Sequence, residues 1–175
     1  IAHSKIVRFH KIPKDFSDSY LVMTLLQFAK ENVSSQLYPI GCTDEYAEFI
    51  IRNHEQLQEA FFCPCVDALI VDSLIYKASF YELCDKYHIS YPETVVVEKS
   101  TNLSILNSLP FSYPIIIKPS SSILYWKHPF EQMKKVYTAQ NEIEAETIIH
   151  NIFSSGYPDK IIVQKMVPGK DDHMY

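Results

Sequence analysis

The chain has 175 residues and a formal net charge of -5, with 16 lysine and arginine residues against 21 aspartate and glutamate residues. Its hydrophobic fraction of 47% is sufficient for a packed core and argues against a disordered segment. The acidic balance argues against bulk nucleic-acid binding. The sequence contains no apolar run of 18 residues, so it predicts no membrane span. Three glycines are too few to favour a P-loop or a dinucleotide-binding fingerprint.

Strands and helices are predicted to alternate in the first part of the chain. The predicted strands are residues 5–10 and 37–40, and the predicted helices are residues 20–30 and 44–60. Thr43 or Asp44 is expected to cap the second of these helices. Residues 68–71 fit either a short extended segment or the start of the next helix. Because strands and helices alternate, the pattern favours a parallel α/β sheet.

The second part of the chain is predicted to contain four strands and two long helices. The strands are residues 94–97, 115–118, 135–138 and 160–164, and the helices are residues 73–87 and 141–153. Asn141 and Glu144 stand at the N-cap and N3 positions of the second helix, and Gly156 ends it. This arrangement favours an α+β domain that begins near Asp72.

Cysteine spacing does not indicate a metal site. Cys63 and Cys65 are separated by one residue, not by the two of the common zinc knuckle, and no second cysteine pair follows at zinc-finger spacing. We therefore predict free thiols in a reducing compartment, which favours a cytoplasmic protein. The abrupt first and last residues lead us to expect an excised piece of a larger protein.

Two lysines stand at positions where an anion is an attractive partner. Lys77 shares one helical face with Phe80, Tyr81 and Cys84, so its amine either extends past the edge of the core or meets an anion. Lys118 ends an apolar strand and precedes Pro119, where a cation suits phosphate binding or simply marks the exit of the strand to solvent.

Two loops add weaker indications of a binding site. Ser120, Ser121 and Ser122 follow Lys118 and offer hydroxyls and backbone amides to a phosphate, although serine runs are usually only loop. An apolar strand over residues 161–165 runs into Pro168 and Gly169, and Asp171 follows. A backbone edge of that kind can pair with a purine, and an acid beyond it can accept hydrogen bonds from ribose hydroxyls. An ordinary turn explains the same pattern.

The order of these motifs carries more information than any one of them. The motifs are Lys77 on a helix, Tyr91-Pro92-Glu93-Thr94-Val95-Val96, Pro114-Ile115-Ile116-Ile117-Lys118-Pro119, the serine loop, a helix, and Val163-Gln164-Lys165-Met166-Val167-Pro168-Gly169. In this order they resemble the ATP-grasp superfamily. Within it, the chain resembles the D-aspartate ligase type of carboxylate–amine ligase from bacterial cell-wall synthesis. The stretches that carry this likeness are Asp44-Glu45-Tyr46-Ala47-Glu48, Phe62-Cys63-Pro64, Lys77-Ala78-Ser79-Phe80-Tyr81-Glu82-Leu83-Cys84, Leu109-Pro110-Phe111, Ile162-Val163-Gln164 and Val167-Pro168-Gly169-Lys170-Asp171-Asp172. The resemblance covers nearly the whole chain.

The resemblance implies a role for each candidate residue. Lys77 and Lys118 match the two lysines that hold the α- and β-phosphates of ATP. Ser120, Ser121 and Ser122 match the start of the flexible loop over the phosphates. Gln164 matches the side chain that meets the adenine amino group, Lys165 and Val167 match the hinge backbone at the adenine edge, and Asp171 matches the ribose-binding acid, with Asp172 as second choice. This phosphate loop has serines in place of the glycines that are frequent in the family.

The resemblance also implies the fold and the reaction. The expected fold class is α/β, with a truncated Rossmann-like pre-ATP-grasp domain over residues 1–72 and part of an ATP-grasp α+β domain over residues 73–175. The first is expected to be incomplete at its N-terminus and the second to lack its C-terminal half. The implied reaction joins a small amino acid, D-aspartate by resemblance, to an amine acceptor on a peptidoglycan precursor through an acyl phosphate.

Some functional elements are expected to lie outside this chain. We assign no catalytic residue and no metal ligand to these 175 residues, since the family's Mg²⁺ ligands are expected beyond the last residue. We therefore expect the fragment alone to be inactive. Two alternatives stay open at this point: an ATP-grasp ligase for another amino acid or peptide, and a non-catalytic nucleotide-binding module.

Overall fold

The computed structural model describes residues 5–7, 9–63 and 67–169 of the chain. The chain divides into two compact units, Ile1–Val66 and Asp67–Tyr175. The assignment of residues 1–72 and 73–175 to two domains stays a prediction.

The described part of the first unit is built from helices. These are α1 (Asp18–Glu31), α2 (Asp44–Arg52) and α3 (His54–Leu57). Ser17 caps α1 by accepting a hydrogen bond from the Tyr20 N–H group, and Thr43 caps α2 in the same way, as one of the two predicted alternatives. The small core of this unit consists of Leu21, Val22, Ala29, Phe49, Leu57 and Phe61.

Both strands predicted in this unit are wrong within the described residues. Residues 5–7 and 9–10 are irregular, with Arg8 outside the described residues, and residues 37–40 form no ladder. Ile40 is 80% exposed, so the apolar composition that predicted a strand is not matched by burial. The parallel α/β sheet predicted for this part is therefore not confirmed. The helix predicted over residues 44–60 is broken at Asn53, whose side chain donates to the Phe49 carbonyl oxygen.

The second unit contains a four-stranded antiparallel sheet. Its strands are β1 (Thr94–Val97), β2 (Ile115–Pro119), β3 (Tyr137–Ala139) and β4 (Ile161–Lys165), in the spatial order β1-β4-β2-β3. All four predicted strands are confirmed, with shifts of one or two residues at some ends. Their β-branched residues suit a pleated, half-buried surface.

The two faces of this sheet have different environments. Ile115 and Ile117 point to one face and are fully buried, whereas Ile116 and Lys118 point to the other and are half-buried. The buried face packs against a long helix and a 3-10 helix (Leu103–Ser108). The long helix is Glu142–Ser154, as predicted, and Asn141 caps it by accepting from the Glu144 N–H group. Gly156, at φ +90°, follows it, as the sequence predicts.

The helix predicted over residues 73–87 is two helices. They are α4 (Ala68–Ile75) and α5 (Lys77–Lys86), with Tyr76 in an extended conformation between them. The helical alternative for residues 68–71 is therefore correct. A further short helix, α6 (Ser122–Trp126), follows β2, and the long helix Glu142–Ser154 is accordingly α7.

Several features outside the sheet bear on function. Within residues 5–7, 9–63 and 67–169, no three side chains of histidine, cysteine, aspartate or glutamate lie close enough together to hold a metal ion. In the same ranges, no helix combines the length and apolar character needed to cross a bilayer. Cys42 is exposed and Cys84 is buried, and both thiols are free.

Tyr157 occupies the junction between the core and the loop after β2. It is 1% exposed, and its hydroxyl oxygen accepts from the Ser121 N–H group at 3.0 Å and donates to the Lys160 carbonyl oxygen at 3.2 Å. Burial raises the pKa of the Tyr157 hydroxyl, because desolvation disfavours the phenolate.

Replacing Tyr157 with phenylalanine is expected to flatten the loss of stability at alkaline pH. The raised pKa means that the stabilising contribution of the neutral phenol is complete below the ordinary tyrosine pKa of about 10 and is lost as pH rises toward the folded-state value. The free energy of unfolding, measured in urea from pH 8 to pH 11, should fall less steeply for Tyr157→Phe. Tyr87→Phe, at an exposed position, is the control and should keep the parent slope.

Candidate functional site

Lys118 and Gln164 lie on the sheet face opposite the core. Gln164 of β4 pairs with Ile116 of β2, and Lys118 pairs with Ile162, so the register brings all four side chains to one face. Helix α5 covers part of this face, where Ala78 and Tyr81 pack against Ile162. The structure thus brings together two residues that the sequence predicts separately as phosphate and adenine contacts.

Gln164 is the centre of a polar cluster on this face. Its side chain is 6% exposed, and its Oε1 atom accepts from the Lys118 Nζ atom at 2.9 Å. Its Nε2 atom donates to the Thr94 hydroxyl at 2.7 Å and to the Tyr81 hydroxyl at 2.9 Å. The Lys118 ammonium also lies 5.8 Å from the centre of the Tyr81 ring, within range of a cation–π contact. Lys118 therefore does not simply leave the sheet for solvent.

Lys77 is the first residue of α5 and is half-buried beside the serine loop. Its Nζ atom lies 3.4 Å from the Ser120 carbonyl oxygen and 3.4 Å from the Ser122 hydroxyl. The ammonium therefore has two oxygen neighbours near the end of β2, in addition to any contact with water. Both predicted phosphate lysines belong to the region where β2 ends and α5 begins.

Two of the three serines after Lys118 are buried. Ser120 and Ser121 are 1% and 0% exposed, and Ser122 starts α6. The Ser120 hydroxyl accepts from the Ala78 N–H group at 3.1 Å, and the Ser121 hydroxyl caps α6 by accepting from the Leu124 N–H group at 3.2 Å. Ser120 and Ser121 thus each accept from a backbone N–H group in the first turn of a helix, and Ser122 is the half-exposed member of the three. Phosphate contact by these serines stays a prediction.

Ser120 supplies the cap that α5 lacks locally. Tyr76 stands at the N-cap position, where its side chain makes no capping hydrogen bond, and helix N-termini need partners for their first N–H groups. The Ser120 carbonyl oxygen accepts from the Lys77 N–H group at 3.2 Å, and its hydroxyl accepts from the Ala78 N–H group. Ser120 therefore positions the first turn of α5, which carries Lys77.

Ser120→Ala is expected to lower the free energy of unfolding by about 1 kcal/mol, the typical cost of removing a helix N-cap. The substitution leaves the buried Ala78 N–H group without its acceptor, which adds to the cost. Denaturant unfolding followed by circular dichroism measures the difference. Ser100→Ala removes the same atom from an exposed turn and should change stability by less than about 0.5 kcal/mol. Equal stability of both variants would show that the cap contributes nothing.

The predicted adenine hinge follows β4. The Lys165 N–H group donates to the Glu93 carbonyl oxygen at 2.9 Å, and the Lys165 ammonium pairs with the Glu93 carboxylate at 2.7 Å. Val167 is 52% exposed and lies beyond the last strand residue. The predicted ribose acid Asp171, and its alternative Asp172, lie outside the described residues.

Sequence reasoning missed Thr94 and Tyr81 as members of the polar cluster. The sequence places Thr94 only in a predicted strand. Its pairing with Gln164 in the β1–β4 ladder identifies it as a member of the cluster. Tyr81 stacks on Tyr91 with ring centres 4.7 Å apart. The Tyr91 hydroxyl donates to Asp85 at 2.9 Å, and this hydrogen bond raises the pKa of Tyr91 because the carboxylate favours the protonated phenol.

Known proteins resemble this chain in sequence and in fold. D-aspartate ligase of Enterococcus faecium (strain Aus0004) is 38% identical over 98% of this chain, and the chain spans 42% of the length of that relative. No family model matches the chain. The predicted resemblance is therefore confirmed by a relative rather than by a family model.

Solved structures give the fold. D-alanine–D-alanine ligase from Bacillus anthracis superposes with a TM-score of 0.58 at 15% identity, covering 85% of this chain and 44% of that one. A structure of the same ligase complexed with ATP matches equally well. N5-carboxyaminoimidazole ribonucleotide synthetase, solved with ADP, has a TM-score of 0.55 at 12% identity, covering 84% of this chain and 34% of that one. These neighbours are ATP-grasp ligases. The mixed α/β class and the likeness to the ATP-grasp fold are therefore confirmed, whereas the truncated Rossmann-like domain is not.

Proposed function

We propose that this chain, which resembles D-aspartate ligase over nearly its whole length, is part of an ATP-dependent carboxylate–amine ligase. The identity of 38% over 98% of the chain is the observation that carries the proposal. The ATP-grasp fold of the solved neighbours supports it independently. Since the chain spans 42% of that relative, the activity is proposed for the full-length protein.

We propose that ATP binds on the open face of the sheet. Lys118 would hold phosphate oxygens, Lys77 would do the same from the start of α5, and Gln164 would meet the adenine amino group. The 2.9 Å contact between Lys118 and Gln164 supports this placement, because it puts a cation beside the proposed adenine contact. The Lys165 and Val167 backbone would pair with the adenine edge, and Asp171 would accept from the ribose hydroxyls.

The proposed reaction has two steps. The carboxylate of the amino acid, D-aspartate by resemblance, attacks the γ-phosphate of ATP to give an acyl phosphate and ADP. The amine of a peptidoglycan precursor then displaces phosphate and forms the amide. Lys77 and Lys118 contribute by binding ATP and offsetting its negative charge. Bound Mg²⁺ would neutralise further charge on the phosphates, and no cluster of side chains among the described residues fits it.

Two finer assignments complete the proposal. Residues 1–72 would belong to a truncated Rossmann-like pre-ATP-grasp domain, and residues 73–175 to the N-terminal subdomain of the ATP-grasp domain. A cytoplasmic location is also proposed, on the basis of the free thiols expected from the cysteine spacing.

Phosphate release by the full-length protein tests the function. The assay supplies Mg-ATP, a panel of amino acids of both configurations, and a lysine-containing muropeptide as acceptor. Release that depends on D-aspartate is expected, together with the matching amide product by mass spectrometry. Phosphate release that depends on another amino acid would support the proposed ligase activity and show that D-aspartate is not the donor. ATP binding without release for any donor would favour a non-catalytic nucleotide-binding module.

A further inference from the structure

The orientation of the Gln164 amide is fixed by the chemistry of its neighbours. A lysine ammonium has only donor hydrogens, so the amide atom 2.9 Å from the Lys118 Nζ atom must be the oxygen. The amide nitrogen consequently faces the opposite side, toward β1 and α5. This assignment does not depend on which way an amide is drawn, because the flipped amide would direct N–H groups at a cation.

The hydroxyls of Thr94 and Tyr81 are the two nearest acceptors for the amide nitrogen. The Thr94 hydroxyl donates its own proton to the Pro92 carbonyl oxygen at 2.7 Å, so toward Gln164 it acts as an acceptor. The Gln164 Nε2 atom lies 2.7 Å from the Thr94 Oγ1 atom and 2.9 Å from the Tyr81 hydroxyl, and the Pro92 carbonyl oxygen lies farther away at 3.4 Å. The nitrogen end of the amide is therefore held by two residues that have no assigned role.

We propose that Thr94 and Tyr81 are positioning residues that make the nucleotide site select adenine over guanine. They hold the amide oxygen of Gln164 toward the purine edge. This inference rests on the proposed function, in which the adenine amino group meets Gln164.

The selection follows from the two purine edges. Adenine carries an amino donor at position 6, and guanine carries a carbonyl acceptor there. The Gln164 oxygen attracts the first and repels the second, whereas an amide nitrogen at the same place would do the reverse.

Nucleotide binding makes the two hydroxyls more important than they are in the free protein. In the free protein Lys118 also fixes the amide, since it donates to the oxygen. When phosphate oxygens attract the Lys118 ammonium, its preference for the amide oxygen weakens. Thr94 and Tyr81 then remain as the groups that keep the nitrogen away from the base. Their loss should therefore appear as a change in base selectivity with nucleotide bound.

The test compares ATP and GTP binding by the full-length protein and its variants. Dissociation constants for both nucleotides are measured by calorimetry for the parent, Thr94→Val, Tyr81→Phe and the double variant. We expect the double variant to lose about tenfold of the ATP-over-GTP preference, the effect of one misplaced hydrogen bond in a buried site. Each single variant should lose a smaller part, so the single variants carry the test if the double variant does not fold.

Gln164→Glu provides the decisive background. A carboxylate has two equivalent acceptor oxygens, so its orientation needs no partners to present an acceptor to the base. On that background Thr94→Val and Tyr81→Phe should leave the ATP-to-GTP ratio unchanged. Thr138→Val is the matched control for Thr94→Val, since Thr138 lies on β3 and pairs with Ile116. Tyr91→Phe is the matched control for Tyr81→Phe, since the Tyr91 hydroxyl donates to Asp85. Neither control should alter the ATP-to-GTP ratio.

The outcomes separate the two proposals. A parent that prefers ATP, with variants of unchanged ratio, would overturn the positioning role and leave the proposed function standing. Equal weakening of ATP and GTP binding would do the same, because a purely structural effect does not distinguish bases. A parent that binds neither nucleotide would overturn both.

Discussion

Replacing Lys118 with methionine is expected to weaken ATP binding to the full-length protein by about 1.5–3 kcal/mol, the typical contribution of a hydrogen bond to a charged group. Methionine keeps an apolar side chain of similar length and removes the ammonium, which lies 5.8 Å from the centre of the Tyr81 ring. Calorimetric titration with ATP in the absence of donor and acceptor measures the change directly.

Lys160→Met is the matched control for this substitution. Lys160 directly precedes β4, and its ammonium pairs with Glu98 at 3.3 Å, with 40% and 54% of the two side chains exposed. Exposed pairs of this kind contribute little, so ATP affinity and stability should both stay close to the parent values. If Lys118→Met and Lys160→Met bind ATP equally well, Lys118 is not part of the nucleotide site.

Ile117→Ala is expected to lower the free energy of unfolding by about 2–5 kcal/mol, the usual cost of truncating a fully buried isoleucine. Ile117 is 0% exposed and faces the core formed with α7, which cannot close the cavity without moving the sheet. Urea unfolding at neutral pH measures the effect.

Ile116→Ala tests the two-sided character of the sheet. Ile116 is the neighbour of Ile117 on β2 but points to the opposite, half-buried face. Its truncation should cost clearly less, because part of the side chain is already in contact with water. Equal costs for the two variants would mean that the open face is as tightly packed as the core face.

The strands of the second unit were predictable because their signal is local. Three or four consecutive β-branched residues identify β1, β2 and β4, and the cap formed by Asn141 identifies the start of α7. The break at Tyr76 was not predictable from the local pattern. It depends on Ser120, which is distant in sequence and supplies the acceptors for the first N–H groups of α5.

The failed strand at residues 37–40 has a related cause. A strand exists only through a ladder with a partner, and the Leu37 carbonyl oxygen accepts instead from the Phe62 N–H group in a loop contact. Apolar composition alone could not reveal that difference.

The candidate site was predicted as separate residues rather than as an arrangement. Lys118 and Gln164 were found through their position in the chain, but their contact depends on the register between β2 and β4. The local sequence does not mark Thr94 and Tyr81 as site residues, because a threonine in a valine-rich strand and a tyrosine on an apolar helical face both resemble ordinary packing residues. Only the structure shows that they share one amide.

The strand order has a consequence for synthesis of the chain on the ribosome. β1 pairs only with β4 in the described sheet, and β4 is the last of the four strands to emerge. While the intervening residues are being made, β2 and β3 can pair with each other, but β1 has no ladder partner. Its three valines thus stay available for wrong contacts until β4 inserts between β1 and β2, so the interval before this insertion is when β1 exposes a nascent chain to aggregation.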